Sequence, residues 1–335
     1  MPSTPTRRRS SSRAREGRRP RAARAAHACA LAAALACALV AAPGAAEGDA
    51  ACEGAPAALA PGFALRFAGE TSALAVVATS VMPDAEIELE AVAAAQPARF
   101  DAAADGGTLA PAGPARWRWR APGEPGTHRI LVREAASRTE ACLRLFVLRP
   151  YAGEEEIDGF RVGAYPPGAR PPGLVRVEER MLDLAVSPRF RLGQFLAKQE
   201  GGFPKYLALR TRLLLALEAI AARLAARGAG DLAVMSGYRT PYYHARIGNT
   251  TTTSRHLFGD AADVYVDGNG DGRMDDLDGD GRADDADARL LFAWLEAMAA
   301  EPWYAPFAGG LSVYATAPHR GPFVHVDVRG RSVRW

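Results

Sequence analysis

Cysteine is scarce in this chain: four residues in 335. Two of them, Cys29 and Cys37, lack the leucine three positions upstream that a lipoprotein cleavage box needs, which argues against a lipid anchor. A basic face is lacking as well. The formal charge is +3, but residues 1–46 hold nine arginines and one glutamate, and without that surplus of eight the rest of the chain stands at −5. A mildly acidic body excludes a nucleic-acid-binding surface. Strongly apolar runs are also missing. The eighteen residues Ala25 to Ala42 are mostly alanine, too weakly hydrophobic for a permanent membrane span.

What the N-terminus does contain is the pattern of an export signal. An Arg-rich stretch ends near Arg24, the Ala/Leu run follows, and Gly44-Ala45-Ala46 supplies a small-residue cleavage site. Residues 1–46 are therefore expected to be a signal peptide, and the mature chain periplasmic or secreted. The export route is left open: Arg7-Arg8-Arg9 suits twin-arginine export, but serines follow where hydrophobic residues belong. Cys52 and Cys142 remain in the mature chain and bracket one region, as a disulfide or as two buried thiols.

That region, 52–150, reads as short strands between turns: Phe63 to Phe67, Ala73 to Val81, Ile87 to Glu90, Arg116 to Arg120, Ile130 to Arg133 and Leu143 to Leu148. Period-two alternation puts Trp117 and Trp119 on one face, as core rather than as a sugar-stacking surface. An Ig-like β-sandwich is expected, with a second role as a docking surface for an envelope protein. Residues 151–188, rich in Pro and Gly, are expected to be a linker. Beyond them a helix is expected from about Lys205 to Arg227, with Leu213, Leu217, Ile220 and Leu224 on its buried face, and another from about Ala286 to Ala300. Short strands at Leu232 to Met235, Ala262 to Val266, Leu311 to Tyr314 and Phe323 to Val328 make residues 189–335 an α+β domain with a small antiparallel sheet.

Ser254-Arg-His256-Leu-Phe-Gly259-Asp-Ala261-Ala-Asp263 sets a histidine and an aspartate seven residues apart, with small residues between them. In Phe323-Val-His325-Val-Asp327-Val328, strand alternation turns His325 and Asp327 away from the valines. His256, Asp263 and His325 together offer two imidazoles and a carboxylate, and three protein ligands with one open position are what catalytic zinc requires.

Here the sequence resembles the zinc D-Ala-D-Ala carboxypeptidases and murein endopeptidases, which share a fold group with the hedgehog signalling domain. Ser254-x-His256-x-x-Gly259-x-Ala261-x-Asp263 fits their first metal motif, and Ser236-Gly-Tyr-Arg239-Thr-Pro241 resembles their SGYR stretch. Phe323 to Asp327, followed by Gly330, Val333 and Trp335, resembles the ending of the exported murein-endopeptidase branch. The resemblance spans roughly Arg189 to Trp335. It implies that His256, Asp263 and His325 bind zinc and that Arg239 contacts the substrate's carboxylate or carbonyl oxygen. The chain departs from the family at the general base: Pro322 and Phe323 stand where relatives carry Glu or His. Asp327 is the first candidate for that role, with His319 and His244 behind it.

Directly after Asp263 the chain turns acidic. Asp267, Asn269, Asp271, Asp275 and Asp278 occupy positions 1, 3, 5, 9 and 12 of an EF-hand-like calcium loop, with Gly272 at position 6. Asp276, Asp278, Asp280, Asp284 and Asp287 repeat the pattern around Gly281. The two loops overlap and resemble the tandem aspartate-rich repeats of thrombospondins, in which neighbouring ions share carboxylates; Asp278 would be the shared one. Structural calcium is expected across 267–287. The expected function is hydrolysis of peptidoglycan crosslinks or stem peptides by an exported zinc metallopeptidase. The competing expectation is a noncatalytic cell-wall-binding or scaffold protein that keeps a structural metal site.

Overall fold

Alternation of apolar and polar residues builds the first half of the molecule. The computed structural model describes Cys52, residues 60–93 and residues 98–335; the expected signal peptide, with Cys29 and Cys37, lies outside them. Strands β1 (Phe63–Phe67), β2 (Glu70–Ser72), β3 (Val76–Val81), β4 (Glu86–Ala93), β5 (Phe100–Ala104), β6 (Thr108–Gly113), β7 (Arg116–Arg120), β8 (Gly126–Glu134) and β9 (Glu140–Val147) form two sheets. One is ordered β2-β1-β4-β7-β6 and the other β3-β9-β8-β5, with β3 and β9 parallel. Their inner faces share a core that includes Phe63, Leu65, Leu89, Trp119, Ile130, Val132 and Leu145. Trp117 and Trp119 are both buried, and the Trp119 indole donates to the Gly106 carbonyl at 2.8 Å. On the outer face Glu86, Glu88 and Glu90 stand opposite Arg120, Arg118 and Arg116, so the polar side of the strand pair is a ladder of opposite charges. A disulfide joins Cys52 to Cys142.

The Pro/Gly-rich stretch 151–188 is not a tether. Tyr151, Ile157, Phe160, Val162, Leu174 and Val177 are buried in the same core as the C-terminal helices. Its Pro and Gly residues make turns between short strands: β10 (Arg149–Pro150), β11 (Glu156–Ile157), β12 (Phe160–Arg161) and β13 (Gly173–Val177). β13 is flanked by β10 and by β14 (Lys205–Leu207) in an antiparallel sheet. The expected helix consequently starts later, as α1 (Thr211–Ala226), because Lys205–Leu207 is claimed by β13.

The rest is α+β, with α2 (Pro241–Arg246), α3 (Asp285–Ala299), and β15 (Leu232–Ser236), β16 (Ala261–Val266), β17 (Gly310–Tyr314), β18 (Phe323–Asp327) and β19 (Val333–Arg334). These strands form one sheet ordered β15-β16-β18-β17-β19. It is antiparallel except at its edge, where β19 runs parallel to β17. Leu213, Leu217, Ile220 and Leu224 of α1 and Leu291 and Leu295 of α3 are buried with Val264, Val324 and Val326 of this sheet. The sandwich rests on the same body: Thr211 donates to Thr79 at 3.0 Å, and the Ala78 amide to the Val186 carbonyl at 2.8 Å. Among the described residues no helix is long and apolar enough to cross a membrane.

Candidate metal centre

A single row across the C-terminal sheet creates the site. Ser236 on β15 pairs with Asp263 on β16, Asp263 with His325 on β18, and His325 with Ser312 on β17. Directly opposed residues share a face of the sheet, so four polar side chains line up on the face away from Val324 and Val326. His256 is brought to this row by a 3-10 turn, Arg255–Phe258, that ends at Gly259. Gly259 has φ +69°, and a side chain there would collide with the Ala208 carbonyl, so the turn can close into β16 only with glycine.

The three expected ligands converge. His256 Nε2 lies 3.1 Å from Asp263 Oδ1 and 3.1 Å from His325 Nδ1, and His325 Nδ1 lies 3.1 Å from Asp263 Oδ1. All three residues are buried. The atoms behind them fix the ring tautomers. His256 Nδ1 is 2.6 Å from the Gly237 carbonyl, which can only accept, so that nitrogen carries the hydrogen and Nε2 presents a lone pair. His325 Nε2 is 3.1 Å from Asp327 Oδ2 and is fixed in the same way, leaving Nδ1 toward the triangle. Two imidazole nitrogens and a carboxylate oxygen at mutual distances of 3.1 Å hold together only with a proton or a metal ion between them.

A zinc ion with donors at about 2.0–2.1 Å in a tetrahedron spaces those donors about 3.3–3.4 Å apart, so the triangle has the dimensions and the donor set for it. All-oxygen cations would not recruit two imidazoles. Burial pushes the His256 pKa down and keeps that ring neutral. Burial opposes the charged form of His325 too, but Asp263 and Asp327 outweigh it and raise its pKa. The Asp263 carboxyl, raised by burial, is held well below the ordinary range by His256, His325 and Arg239.

Asp327 does not face the cleft. Its side chain is fully buried, and its oxygens accept from the Gly310 amide at 2.9 Å, the Arg329 amide at 3.1 Å and the Arg329 guanidinium at 2.8 Å. Burial alone would raise this carboxyl, but His325, Arg329 and the Gly310 amide hold it well below the usual range. The expectation of a general base at Asp327 is corrected accordingly: with its lone pairs taken from behind, Asp327 orients the His325 ring. His244 is also misplaced for that role. It is a buried residue of α2 with Nε2 3.0 Å from the Thr251 carbonyl, and it does not line the cleft. His319 is exposed and does line it.

The cleft has a volume of about 750 Å³, with His256, Asp263, His325, Arg239, Lys198 and Arg320 among its lining residues. Arg239 bonds the second oxygen of Asp263 and donates to Ser236 Oγ at 3.0 Å, so its guanidinium sits beside the triangle. Trp335 is 54% exposed, with its ring 5.1 Å from that of His325 and its indole N–H donating to the Tyr314 hydroxyl at 2.9 Å. Sequence reasoning picks out the three converging residues but not the Gly237 carbonyl and Arg329 behind them, or Ser236 beside Arg239. Gly237 and Ser236 lie in the stretch that flagged Arg239, and only the sheet row gives them their roles.

In the acidic segment, Asp276, Asp278 and Asp287 bring carboxylate oxygens within 4.8 Å of one another; the hydrogen bond from the Asp280 amide lowers the Asp278 carboxyl, but desolvation and the neighbouring charges of Asp280, Asp287 and Asp276 together raise it. These three and the other expected donors alike accept from amides of the loop. Asp284 caps α3, accepting from the Ala286 amide at 2.7 Å, and Asp275 accepts from the Gly268 amide at 2.6 Å. Asp267 accepts from the amides of Asp271 and Gly272, Asn269 from Asp271, Asp271 from Arg273, and Asp280 from Arg282.

No protein-family model matches the chain, and no curated protein matches it. Among solved structures it is similar to the adhesin InvE of Yersinia pseudotuberculosis, at 11% identity and a TM-score of 0.18, over 28% of this chain and 28% of the adhesin's length; so slight a likeness carries no argument.

Proposed function

We propose that the chain is an exported zinc metallopeptidase that hydrolyses peptide bonds of peptidoglycan, in crosslinks or stem peptides, with a C-terminal part of the hedgehog and D-Ala-D-Ala-peptidase fold group. The observation that supports this most is the buried triangle of two imidazole lone pairs and one carboxylate at the foot of an open cleft. His256, Asp263 and His325 would hold the ion. Zinc supplies Lewis acidity, lowering the pKa of a bound water from 15.7 to about 7.

The chain's own residues do the rest. The Gly237 carbonyl and Asp327 keep both imidazoles in the ligating tautomer. Arg239, beside the triangle on the cleft, places a positive charge where a carbonyl oxygen gains negative charge. His319 is the imidazole on the cleft outside the triangle and takes the base role that Asp327 does not fill. Calcium on Asp276, Asp278 and Asp287 would brace the connection from β16 to α3. Export rests on the composition of residues 1–46.

The test is incubation of the mature protein with murein sacculi and defined muropeptides. Wild type should release soluble fragments, and His256→Ala should lose both bound zinc and cleavage, by at least about a thousandfold in rate. Full activity in that variant refutes the assignment. Binding to sacculi without any released fragment favours the noncatalytic reading.

A further inference from the structure

The cleft beside the triangle carries an excess of positive charge, and its cations fall into two kinds. Arg239, Arg255 and Arg329 are each closed by an internal carboxylate: Asp263, Asp260 and Asp327 respectively. Two cations on the cleft have no such partner, Lys198 and Arg320; Lys198 is exposed and its side chain is held by no hydrogen bond or ion pair among the described residues, which leaves Arg320. Among the described residues no carboxylate lies within 4.0 Å of it; its Nη1 donates to the Ala315 carbonyl at 2.7 Å instead.

Arg320 is nevertheless held in place. Tyr314 and Phe323 are directly opposed on β17 and β18, and their rings stack at 4.8 Å with an interplanar angle of 14°. The Arg320 guanidinium carbon lies 4.7 Å from the Phe323 centroid and 5.9 Å from that of Tyr314. Cation–π attraction and the carbonyls of Ala315, at 2.7 Å, and Gly321, at 3.5 Å, position the guanidinium without neutralising it. The hairpin that carries it is pinned at its base, where the Thr316 amide and hydroxyl both donate to Asp285 Oδ1 at 2.7 Å. Asp285 is an acid whose field reaches Arg320, but it lies beyond ion-pair distance and leaves the guanidinium edge uncontacted.

A pre-positioned guanidinium with charge unspent, on the wall of a cleft that holds the reacting centre, is what recognition of an anionic group requires. We propose that Arg320, on its Tyr314–Phe323 platform, is a specificity-determining subsite that binds a carboxylate of the substrate peptide away from the scissile bond. Arg239 does not serve as this anchor, because its contact with Asp263 holds it beside the triangle, where the reacting carbonyl would lie. The inference rests on the peptidase reading for the identity of the ligand as a peptide. The substrate class is thereby narrowed to acidic peptides, with a planar carboxylate accepting from the guanidinium edge that Ala315 leaves open.

The test is binding by the full-length mature chain, in calcium with a zinc-selective chelator, so that affinity is read without turnover. The probes are the stem tetrapeptide L-Ala-γ-D-Glu-diaminopimelate-D-Ala and its single-site carboxamides. Wild type should bind at least one carboxamide about tenfold more weakly than the parent, the worth of a charge-assisted hydrogen bond. Arg320→Gln should bind the parent and that carboxamide alike, and Arg320→Lys should fall between the two, each with an unchanged melting curve. Equal binding of all probes by wild type, no binding of any, or discrimination retained in Arg320→Gln overturns the proposal. A chain that discriminates the carboxylate yet releases no fragment once zinc is restored keeps the subsite and loses the peptidase reading.

Discussion

The His256–Asp263–His325 triangle and the Asp276–Asp278–Asp287 cluster both gather ligand atoms within 4.8 Å, but they are assembled in opposite ways. The triangle comes from β16, β18 and a separate turn; its side chains are buried, and each imidazole is oriented by an acceptor behind it. The acidic cluster is local. Asp276 and Asp278 are exposed while Asp287, in the first turn of α3, is buried, and all three hold the loop by accepting from its own amides. A buried constellation of lone pairs is expensive and must be supported by the whole fold. An exposed acidic turn is supported by its own backbone and asks little of the rest.

The sharpest way to break this comparison uses two glycines. Gly259 and Gly281 both have positive φ, but a methyl group at Gly259 meets the Ala208 carbonyl, whereas at Gly281 it meets open space. Gly259→Ala should cost about 2–5 kcal/mol, backbone strain plus overpacking. Gly281→Ala should cost only about 1–2 kcal/mol of strain. Denaturant unfolding measures both, and equal costs would erase the distinction between a site set by the fold and a site set by its own loop.

A second contrast is in metal affinity. Asp327→Asn keeps the shape but weakens the acceptor behind His325, so zinc affinity should fall about 10–100-fold. Asp276→Asn should leave zinc affinity where it was. Competition with a chromogenic chelator reads both; an unchanged value in Asp327→Asn would mean that His325 is oriented by something else. The smallest effect belongs to calcium. At ten times its Kd it should stabilise the chain by about 1.4 kcal/mol, visible as a rise in Tm, and Asp276→Asn should abolish the rise. An unchanged melting curve for wild type would leave the acidic loops without an ion to order them.

What could be read from sequence follows the same division. His256 and Asp263 were legible because Gly259, Ala261 and Ala262 clear the space between them over a few residues, and His325 because strand alternation sets it apart from the valines. The role of Asp327 was not legible. Alternation gives a face, not what stands behind it, and Arg329 and the Gly310 amide arrive from beyond the strand. The segment 151–188 misleads by composition: its Pro and Gly read as a tether, while Ile157, Phe160 and Leu174 between them are core. Lys205–Leu207 reads as helix until β13, some thirty residues earlier, supplies its partner. Arg320 gave no signal at all, because its meaning depends on two rings that meet only across the β17–β18 pair.

One ion shared by the three converging side chains is the feature on which the metal centre depends. X-ray absorption at the zinc edge of the mature protein tests this most directly. The prediction is one zinc per chain with only nitrogen and oxygen neighbours at about 2.0–2.2 Å, two of them imidazoles, and loss of that signal in His325→Ala. A sulfur-containing or all-oxygen shell, or zinc retained at full occupancy in His325→Ala, would contradict it.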